Sequence, residues 1–192
     1  MVLDIGSNYG QMAMQFAELA PQGTVHAFEV NPLINECMTM TFAENGFNNI
    51  ISHSGAVWNV NDVDLFFPAA EYQPIISTAA SWGVVSQEVV DAGRKIGESA
   101  LPPAIIKSFT IDSLNLDRVD VMKFDIQGSD LYGMMGATET IKRCKPYIVF
   151  EFDSYFTAVY PEQTLAKYFE FVESIGYKVI SETASNYLIG PA

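Results

Sequence analysis

Apolar residues along the chain form two alternating patterns. Short continuous runs fall at residues 2–5, 24–29, 50–52, 119–125 and 147–152. Between them are segments in which apolar side chains recur every three or four positions, at residues 11–20, 31–44, 131–141 and 161–176. Continuous runs are typical of buried strands, and the longer spacing is typical of helices. Strand and helix alternating in this way predict a mostly parallel sheet with right-handed crossovers, followed by an antiparallel pair at 177–180 and 187–189.

The connection between the first predicted strand and helix contains two glycines. Gly6 and Gly10 follow the strand, with Asn8 between them. We predict that Asn8 caps the helix and that Gln11 completes a capping box. Small residues at such a turn leave space for a ligand to meet backbone N–H groups. The turn therefore fits a cofactor site, and it also fits a strand–helix turn that binds no ligand.

An acidic residue ends the second predicted strand. Glu29 lies about 20 residues after the glycine turn, where a carboxylate can accept hydrogen bonds from both hydroxyls of a ribose. Both NAD and S-adenosylmethionine carry that ribose, so Glu29 supports an adenosine ligand without separating the two. The dinucleotide pattern G-x-G-x-x-G is absent from the turn. The alternative is an acid at a strand end that only contacts solvent.

Residues 68–104 interrupt the alternation. They mix aromatic, small and polar residues without a period and contain several prolines and glycines. A long irregular insertion in a compact domain is usually functional or a linker. Because Tyr72, Trp82 and Phe109 offer flat apolar surface, we predict a lid that binds the acceptor within one domain covering residues 1–192.

The composition excludes several classes of partner. A hydrophobic content of 49% with 17% charged residues indicates a globular protein. The net charge of −13 opposes binding to nucleic acid and to anionic membranes. We expect Cys37 and Cys144 to be buried, reduced thiols of a cytoplasmic protein. No apolar run reaches the roughly 18 residues that span a bilayer.

Short motifs follow one another along nearly the whole chain. The first reads Asp4-x-Gly6-x-Asn8-x-Gly10, and the most extended reads Lys123-x-Asp125-x-Gln127-Gly128-x-Asp130. Others are Ala27-Phe28-Glu29-x-Asn31-Pro32, Ala56-Val57, Thr110-Ile111-Asp112-Ser113-Leu114, Gly136-Ala137 and Lys145-Pro146 before a strand that ends in Glu151. In this order they resemble the motifs of the FkbM family of S-adenosylmethionine-dependent methyltransferases.

This resemblance implies a fold and a cofactor site. The fold is a three-layer αβα sandwich of the class I, Rossmann-like type, with a seven-stranded, mostly parallel sheet and an antiparallel last strand. Asp4, Gly6, Asn8 and Gly10 would surround the methionine half of the cofactor, and Glu29 would hold its ribose. The residues implied to bind S-adenosylmethionine are Asp4, Gly6, Ser7, Asn8, Gly10, Glu29, Val30, Asn31, Ala56, Val57 and Asp125, with Ala56 and Val57 beside the adenine.

Two carboxylates are the candidate catalytic groups. Asp125 and Glu151 end adjacent strands of the predicted sheet and would face the same cleft. Transfer of a methyl group to a hydroxyl needs close positioning of the acceptor and a base for its proton. We expect Asp125 to orient the acceptor or the amino group of the cofactor and Glu151 to act as the base. We predict no metal, although Asp125, Glu151 and Asp153 could instead bind Mg²⁺.

The two histidines have weaker claims to a catalytic role. His53, at the end of the third strand, could serve as a base, but a single histidine there is more often structural. His26 is predicted to be a hydrogen-bonded residue of the core.

Two features depart from the family pattern. The usual Glu after the fourth strand is Gln127, which cannot ionise. The chain also begins inside its first strand, so we expect either a shortened chain or the absence of an upstream segment that covers the site in relatives. Three functions therefore stay open: an O-methyltransferase acting on a sugar or another small hydroxyl compound, a non-catalytic cofactor-binding module of a larger assembly, and a nucleotide-dependent oxidoreductase. The sequence does not indicate the oligomeric state.

Overall fold

A computed structural model describes residues 1–67, 83–92 and 104–192. Its main sheet has seven strands. From one edge to the other they are β10 (Tyr177–Thr183), β11 (Asn186–Pro191), β9 (Tyr147–Glu151), β8 (Val121–Phe124), β1 (Val2–Ile5), β2 (Val25–Glu29) and β3 (Ile50–Ser54). β1 pairs in parallel with β2 and β8, whereas β11 runs antiparallel to both of its neighbours. The predicted parallel sheet with an antiparallel last strand is confirmed.

Helices cover both faces of this sheet because side chains alternate along each strand. On one face, Val2 and Val25 pack against helices α1 (Gln11–Leu19) and α2 (Pro32–Glu44). On the other face, Leu3 and Phe150 pack against α4 (Asp130–Met135), α5 (Thr138–Cys144) and α6 (Leu165–Ser174). The result is a three-layer αβα sandwich, as the resemblance implied.

A second, smaller sheet lies beside the main one, and the sequence patterns did not predict it. Its strands are β4 (Ala56–Val57), β7 (Ala104–Phe109), β5 (Asp64–Phe67) and β6 (Val85–Ser86), in that spatial order. β4 pairs with β7 in parallel, and β5 pairs antiparallel with both β7 and β6. A short helix, α3 (Gln87–Asp91), follows β6.

The predicted lid at residues 68–104 falls only partly within the described chain. Its described residues, 83–92 and 104, include β6, α3 and the first residue of β7, so this part is not wholly irregular. Tyr72 and Trp82 lie outside the described residues. Phe109 belongs to β7, and its ring centroid lies 6.0 Å from that of Phe28 on the main sheet. The ring of Phe109 also packs against the core of the main sheet.

Three predicted helix boundaries were wrong. Helix α1 begins at Gln11 with Gly10 as its N-cap, so Asn8 does not cap it. Helix α6 begins at Leu165 and not at Pro161. Its N-cap is Thr164, whose side chain accepts a hydrogen bond from the N–H group of Lys167. The helix predicted from Leu131 through Ile141 is divided into α4 and α5.

The division between α4 and α5 has a tertiary cause. A Cβ on Gly136 would lie 1.9 Å from the backbone oxygen of Trp58, so the chain from the second sheet passes directly against this point. The carboxylate of Asp112 then accepts hydrogen bonds from the backbone N–H groups of Glu139 and Thr140, at 3.0 and 2.7 Å. Asp112 thereby satisfies two N–H groups that the first turn of a helix leaves without partners.

The two cysteines were predicted to be buried, but Cys37 is exposed and Cys144 is half-buried, and both are free thiols. Cys37 lies on the solvent side of α2, where the buried face is formed by Ile34, Met38 and Phe42. Among the described helices, none combines the length and apolar character that a membrane-spanning segment requires.

Candidate cofactor and active site

A cavity opens at the carboxyl ends of β1, β2 and β8, where ligands bind in open α/β sheets. Its lining is formed by Ile5, Gly6, Asn8, Phe28, Glu29, Val30, Gly55, Ala56, Val57, Gly83, Val84, Asp125, Ile126 and Gln127. Seven predicted cofactor residues are among them: Gly6, Asn8, Glu29, Val30, Ala56, Val57 and Asp125. The predicted residues Asp4, Ser7, Gly10, Asn31 and Glu151 do not line it, and the contacts of these five are described below.

Position 6 must be a glycine because the backbone at the end of a neighbouring strand leaves no room for a side chain. Its φ of 83° lies in the left-handed region, and a Cβ there would lie 1.9 Å from the backbone oxygen of Asp125. Its N–H group donates to the backbone oxygen of Phe28 at 3.0 Å. The turn therefore brings the ends of β1, β2 and β8 together at the cavity.

Gly10 lies against a neighbouring helix. Its φ is 82°, and a Cβ would lie 2.5 Å from the ring of Phe42 on α2. Protein packing thus excludes a side chain at both glycines, through helix α2 at Gly10 and through the end of β8 at Gly6.

Glu29 connects the glycine turn to the start of α2. Its carboxylate accepts hydrogen bonds from the backbone N–H groups of Asn8 at 2.9 Å and Asn31 at 2.8 Å. Glu29 is 6% exposed. Burial raises the pKa of Glu29 to about 7, although the N–H groups of Asn31 and Asn8 act in the opposite direction. A buried carboxylate in this position can accept hydrogen bonds from ribose hydroxyls once it is ionised.

Asn31 and Ser7 support the walls of the cavity. The side chain of Asn31 accepts hydrogen bonds from the N–H groups of Leu33 and Ile34 and thereby caps α2. The hydroxyl of Ser7 donates to the backbone oxygen of Asp4 at 2.7 Å and accepts from the N–H group of Phe28 at 3.1 Å. Both residues hold backbone segments in place.

Asp4 lies beneath the turn, paired with a lysine. Its Oδ1 is 3.2 Å from Nζ of Lys123, which is also 3.5 Å from Oδ2 of Asp125. Within the described structure neither carboxylate oxygen of Asp4 has a hydrogen-bond partner. Its contact with Lys123 is therefore an ion pair whose geometry does not meet that of a hydrogen bond. Burial raises the pKa of Asp4, and Lys123 opposes that shift. Lys123 also donates to the backbone oxygen of Gly6, which links it to the turn.

Asp125 and Glu151 come together as predicted from their places at the ends of adjacent parallel strands. The side-chain amide of Gln127 donates to Oδ1 of Asp125 at 2.9 Å and to Oε2 of Glu151 at 3.4 Å. The hydroxyl of Ser185 donates to Oε1 of Glu151 at 3.3 Å. Burial raises the pKa of Glu151, and the charge of Asp125 raises it further. A half-buried carboxylate with a raised pKa is suited to accept a proton from a substrate near neutral pH.

Several residues of the site could not be identified from the sequence. Gln127 was noted only as a departure from the family pattern, and nothing in the sequence marked Ser185. Gly83 and Val84, which directly precede β6, also line the cavity, and the hydroxyl of Tyr160 donates to the backbone oxygen of Val84 at 2.7 Å. Such contacts join residues far apart in the chain.

The alternative catalytic groups have other partners. Asp153 accepts a hydrogen bond from the N–H group of Tyr155 at 2.8 Å. Nδ1 of His26 lies 2.9 Å from Nε2 of His53, which confirms that His26 is a hydrogen-bonded residue of the core. Burial lowers the pKa of both rings, that of His26 to about 4. Across residues 1–67, 83–92 and 104–192, no group of three or more His, Cys, Asp or Glu side chains is arranged to hold a metal ion.

Comparison with known proteins shows which family the chain resembles. The model of the methyltransferase FkbM domain matches residues 4–179. A solved structure of methyltransferase FkbM from Methylobacillus flagellatus KT superposes with a TM-score of 0.62 at 15% identity, covering 99% of this chain and 43% of that one. A SAM-dependent methyltransferase from Aquifex aeolicus has a TM-score of 0.48 at 12% identity, covering 100% of this chain and 81% of that one. No curated protein gives a match. The chain thus spans less than half of the FkbM structure, and at 15% identity their likeness shows a shared fold.

Proposed function

The chain belongs to the FkbM methyltransferase family, whose methyl donor is S-adenosylmethionine, and we propose that it transfers the methyl group to a hydroxyl oxygen of a small molecule such as a sugar. The observation that carries this proposal is the joint position of three carboxylates. Glu29 and Asp125 line the cavity, and Glu151 is joined to Asp125 through the side-chain amide of Gln127. Glu29 suits the ribose of the donor, and the pair Asp125 and Glu151 suits the proton of a hydroxyl acceptor.

The residues of the cavity fit S-adenosylmethionine. Glu29 offers a buried carboxylate for the ribose hydroxyls, and Phe28, Ala56 and Val57 offer an apolar wall for the adenine. Gly6 also lines the cavity, and its φ and its closeness to the end of β8 exclude a side chain there. These features support the assignment of cofactor residues made from the sequence.

When bound, S-adenosylmethionine would supply the methyl group: its carbon would bond to the acceptor oxygen as its bond to sulfur breaks, and the sulfur would leave as a neutral thioether. In this proposal Asp125 orients the acceptor hydroxyl, and Glu151 accepts its proton. The pKa of Glu151 is raised mainly by burial and next by Asp125, which makes its carboxylate a stronger base than an exposed one. Ser185 keeps one oxygen of Glu151 in place through its hydroxyl.

Charge near the pair favours an acceptor that is not an anion. Asp125 and Glu151 lie together, and Asp153 also raises the pKa of Glu151 through its charge. Lys123, the basic residue that contacts Asp125, is also paired with buried Asp4. A phosphate or carboxylate on the acceptor would therefore meet uncompensated negative charge, whereas a sugar hydroxyl would not.

Two experiments test the proposal in sequence. Isothermal titration calorimetry with S-adenosylmethionine and with NADH should show binding of the first and not of the second. Binding of NADH alone would support an oxidoreductase and contradict the proposal. A screen of sugars and other hydroxyl compounds with radiolabelled methyl donor should then yield a labelled ether.

The second candidate function is that of a non-catalytic cofactor-binding module. Gln127 favours it, because an amide stands where the family pattern has an ionisable group. Tight binding of S-adenosylmethionine without transfer to any acceptor in the screen would support this alternative over catalysis.

A further inference from the structure

The side chain of Gln127 lies between the two candidate catalytic carboxylates. Its Nε2 atom is 2.9 Å from Oδ1 of Asp125 and 3.4 Å from Oε2 of Glu151. An amide nitrogen carries two hydrogens, so one group can donate to both carboxylates at once. Unlike a carboxyl group, the amide has no proton to lose near neutral pH and adds no charge to the pair.

The backbone around Gln127 is held from two sides, which fixes where its side chain begins. Gln127 has a φ of 55°, in the left-handed region. The buried carboxylate of Asp130 accepts hydrogen bonds from the backbone N–H groups of Ile126 at 3.4 Å and Gly128 at 3.2 Å. Just before β6, Gly83 packs so closely that a Cβ on it would lie 2.8 Å from the backbone oxygen of Gln127.

We propose that Gln127 is a positioning residue, whose side-chain amide holds the carboxylates of Asp125 and Glu151 side by side and keeps Glu151 ready to accept a proton. Two carboxylates that face each other at short range repel, and one of them then tends to take up a proton. The N–H groups of the amide reduce this repulsion because they donate to the ionised form of both. The role in proton transfer rests on the proposed function, but the effect on Glu151 can be measured without an acceptor.

The first test is the pKa of Glu151 in the variant Gln127→Met, which keeps the length of the side chain and removes both donors. We expect the pKa of Glu151 to rise by about one unit or more, a tenfold change in proton affinity. Titration of ¹³C-labelled glutamate side chains by NMR measures it, and the signal of Glu151 is identified by its loss in Glu151→Gln. Gln15→Met, the same substitution on the exposed side of α1, should leave the pKa of Glu151 unchanged.

A folded Gln127→Met protein with an unchanged pKa of Glu151 would overturn the proposal. Circular dichroism establishes that the variant is folded, so a loss of fold is not mistaken for a loss of positioning. If the variant does not fold, Gln127→Glu provides the decision through a different readout.

The second test uses Mn²⁺ as a probe of the position between the carboxylates. Gln127→Glu would place a third carboxylate beside Asp125 and Glu151, and hard divalent cations prefer such clusters of oxygen ligands. We expect Gln127→Glu to bind Mn²⁺ at least about tenfold more tightly than the unmodified protein, by water-proton relaxation. Gln15→Glu adds the same charge elsewhere and should not do so. Equal affinities in all three proteins would show that the carboxylates do not converge on position 127.

These tests are separate from those of the proposed function. If S-adenosylmethionine binds but Glu151 does not respond to Gln127→Met, the positioning role fails and the methyltransferase proposal stands. If Glu151 responds but the donor does not bind, the positioning role stands and the proposed function fails.

Discussion

In the proposed function, cofactor binding depends most on Glu29. It is buried, and its two carboxylate oxygens accept hydrogen bonds, one from the backbone N–H group of Asn8 and the other from that of Asn31. The role of Glu29 could be predicted from the sequence because this acid ends an apolar run that is typical of a buried strand. The sequence could not show that burial raises the pKa of Glu29 to about 7, since burial comes from the turn and α2 folding around it.

The raised pKa predicts a pH dependence of cofactor binding. In the proposed site the ionised carboxylate accepts hydrogen bonds from the ribose hydroxyls, and below about pH 7 a growing fraction of Glu29 is protonated. We therefore expect the dissociation constant for S-adenosylmethionine to increase roughly tenfold for each pH unit below about 7 and to be constant above about 8. Calorimetry between pH 5.5 and 8.5 would measure this, with Glu18→Gln on the exposed side of α1 as the control. If Glu29→Gln retained the same pH profile, another group would be responsible.

Removal of the proposed base has a different consequence. In Glu151→Gln the carboxylate is lost while the shape is kept, so turnover should fall about 10²- to 10⁴-fold with little change in donor affinity. Transfer of labelled methyl to an identified acceptor measures turnover, and calorimetry measures donor affinity. Glu173→Gln on the exposed part of α6 is the control. Undiminished turnover in Glu151→Gln would exclude Glu151 as the base.

At the scale of elements, the alternation of strands and helices along the chain and the pairing of β8 with β9 and of β10 with β11 followed from the sequence. Several helix boundaries did not. Asp125 and Glu151 could be placed together because neighbouring parallel strands end at the same edge of a sheet. The break at Gly136 could not be predicted, since it arises from the backbone of Trp58, which lies far away in the chain. The second sheet was missed because strands such as β4 and β6 have only two residues each, too few to show a period.

Helix α1 and helix α2 meet at Gly10, and this contact predicts a loss of stability. In Gly10→Ala the new Cβ would meet the ring of Phe42 at 2.5 Å and the residue would keep a positive φ. The strain of the left-handed backbone costs about 1 kcal/mol and overpacking about 1–3 kcal/mol more. Gly46→Ala is the matched control, because Gly46 has a φ of 76° but no atom within 4 Å of the new Cβ.

Chemical denaturation measures the free energy of unfolding of both variants. Gly10→Ala should be destabilised clearly more than Gly46→Ala, which should lose only the cost of the positive φ, about 1 kcal/mol. Similar losses in the two variants would mean that α2 does not press against Gly10, and ligand space would again be the better explanation for this glycine.

At the scale of the whole molecule, the motifs and the fold agree over nearly the entire chain. The family model matches residues 4–179, and the sheet has the predicted seven strands, mostly parallel, with the predicted antiparallel last strand. What the sequence could not show is how distant segments combine at the site. Gly83 lines the cavity from just before β6, and Ser185 reaches Glu151 from the turn between β10 and β11.

A crystal structure of the protein with S-adenosylmethionine would be the most direct test of the central claim, which is that the glycine turn and Glu29 form the binding site of the methyl donor. We predict that the ribose hydroxyls will be hydrogen-bonded to the carboxylate of Glu29, with the rest of the molecule in the cavity beside Gly6 and Asp125. A donor bound elsewhere on the protein, with Glu29 making no contact with it, would contradict the claim.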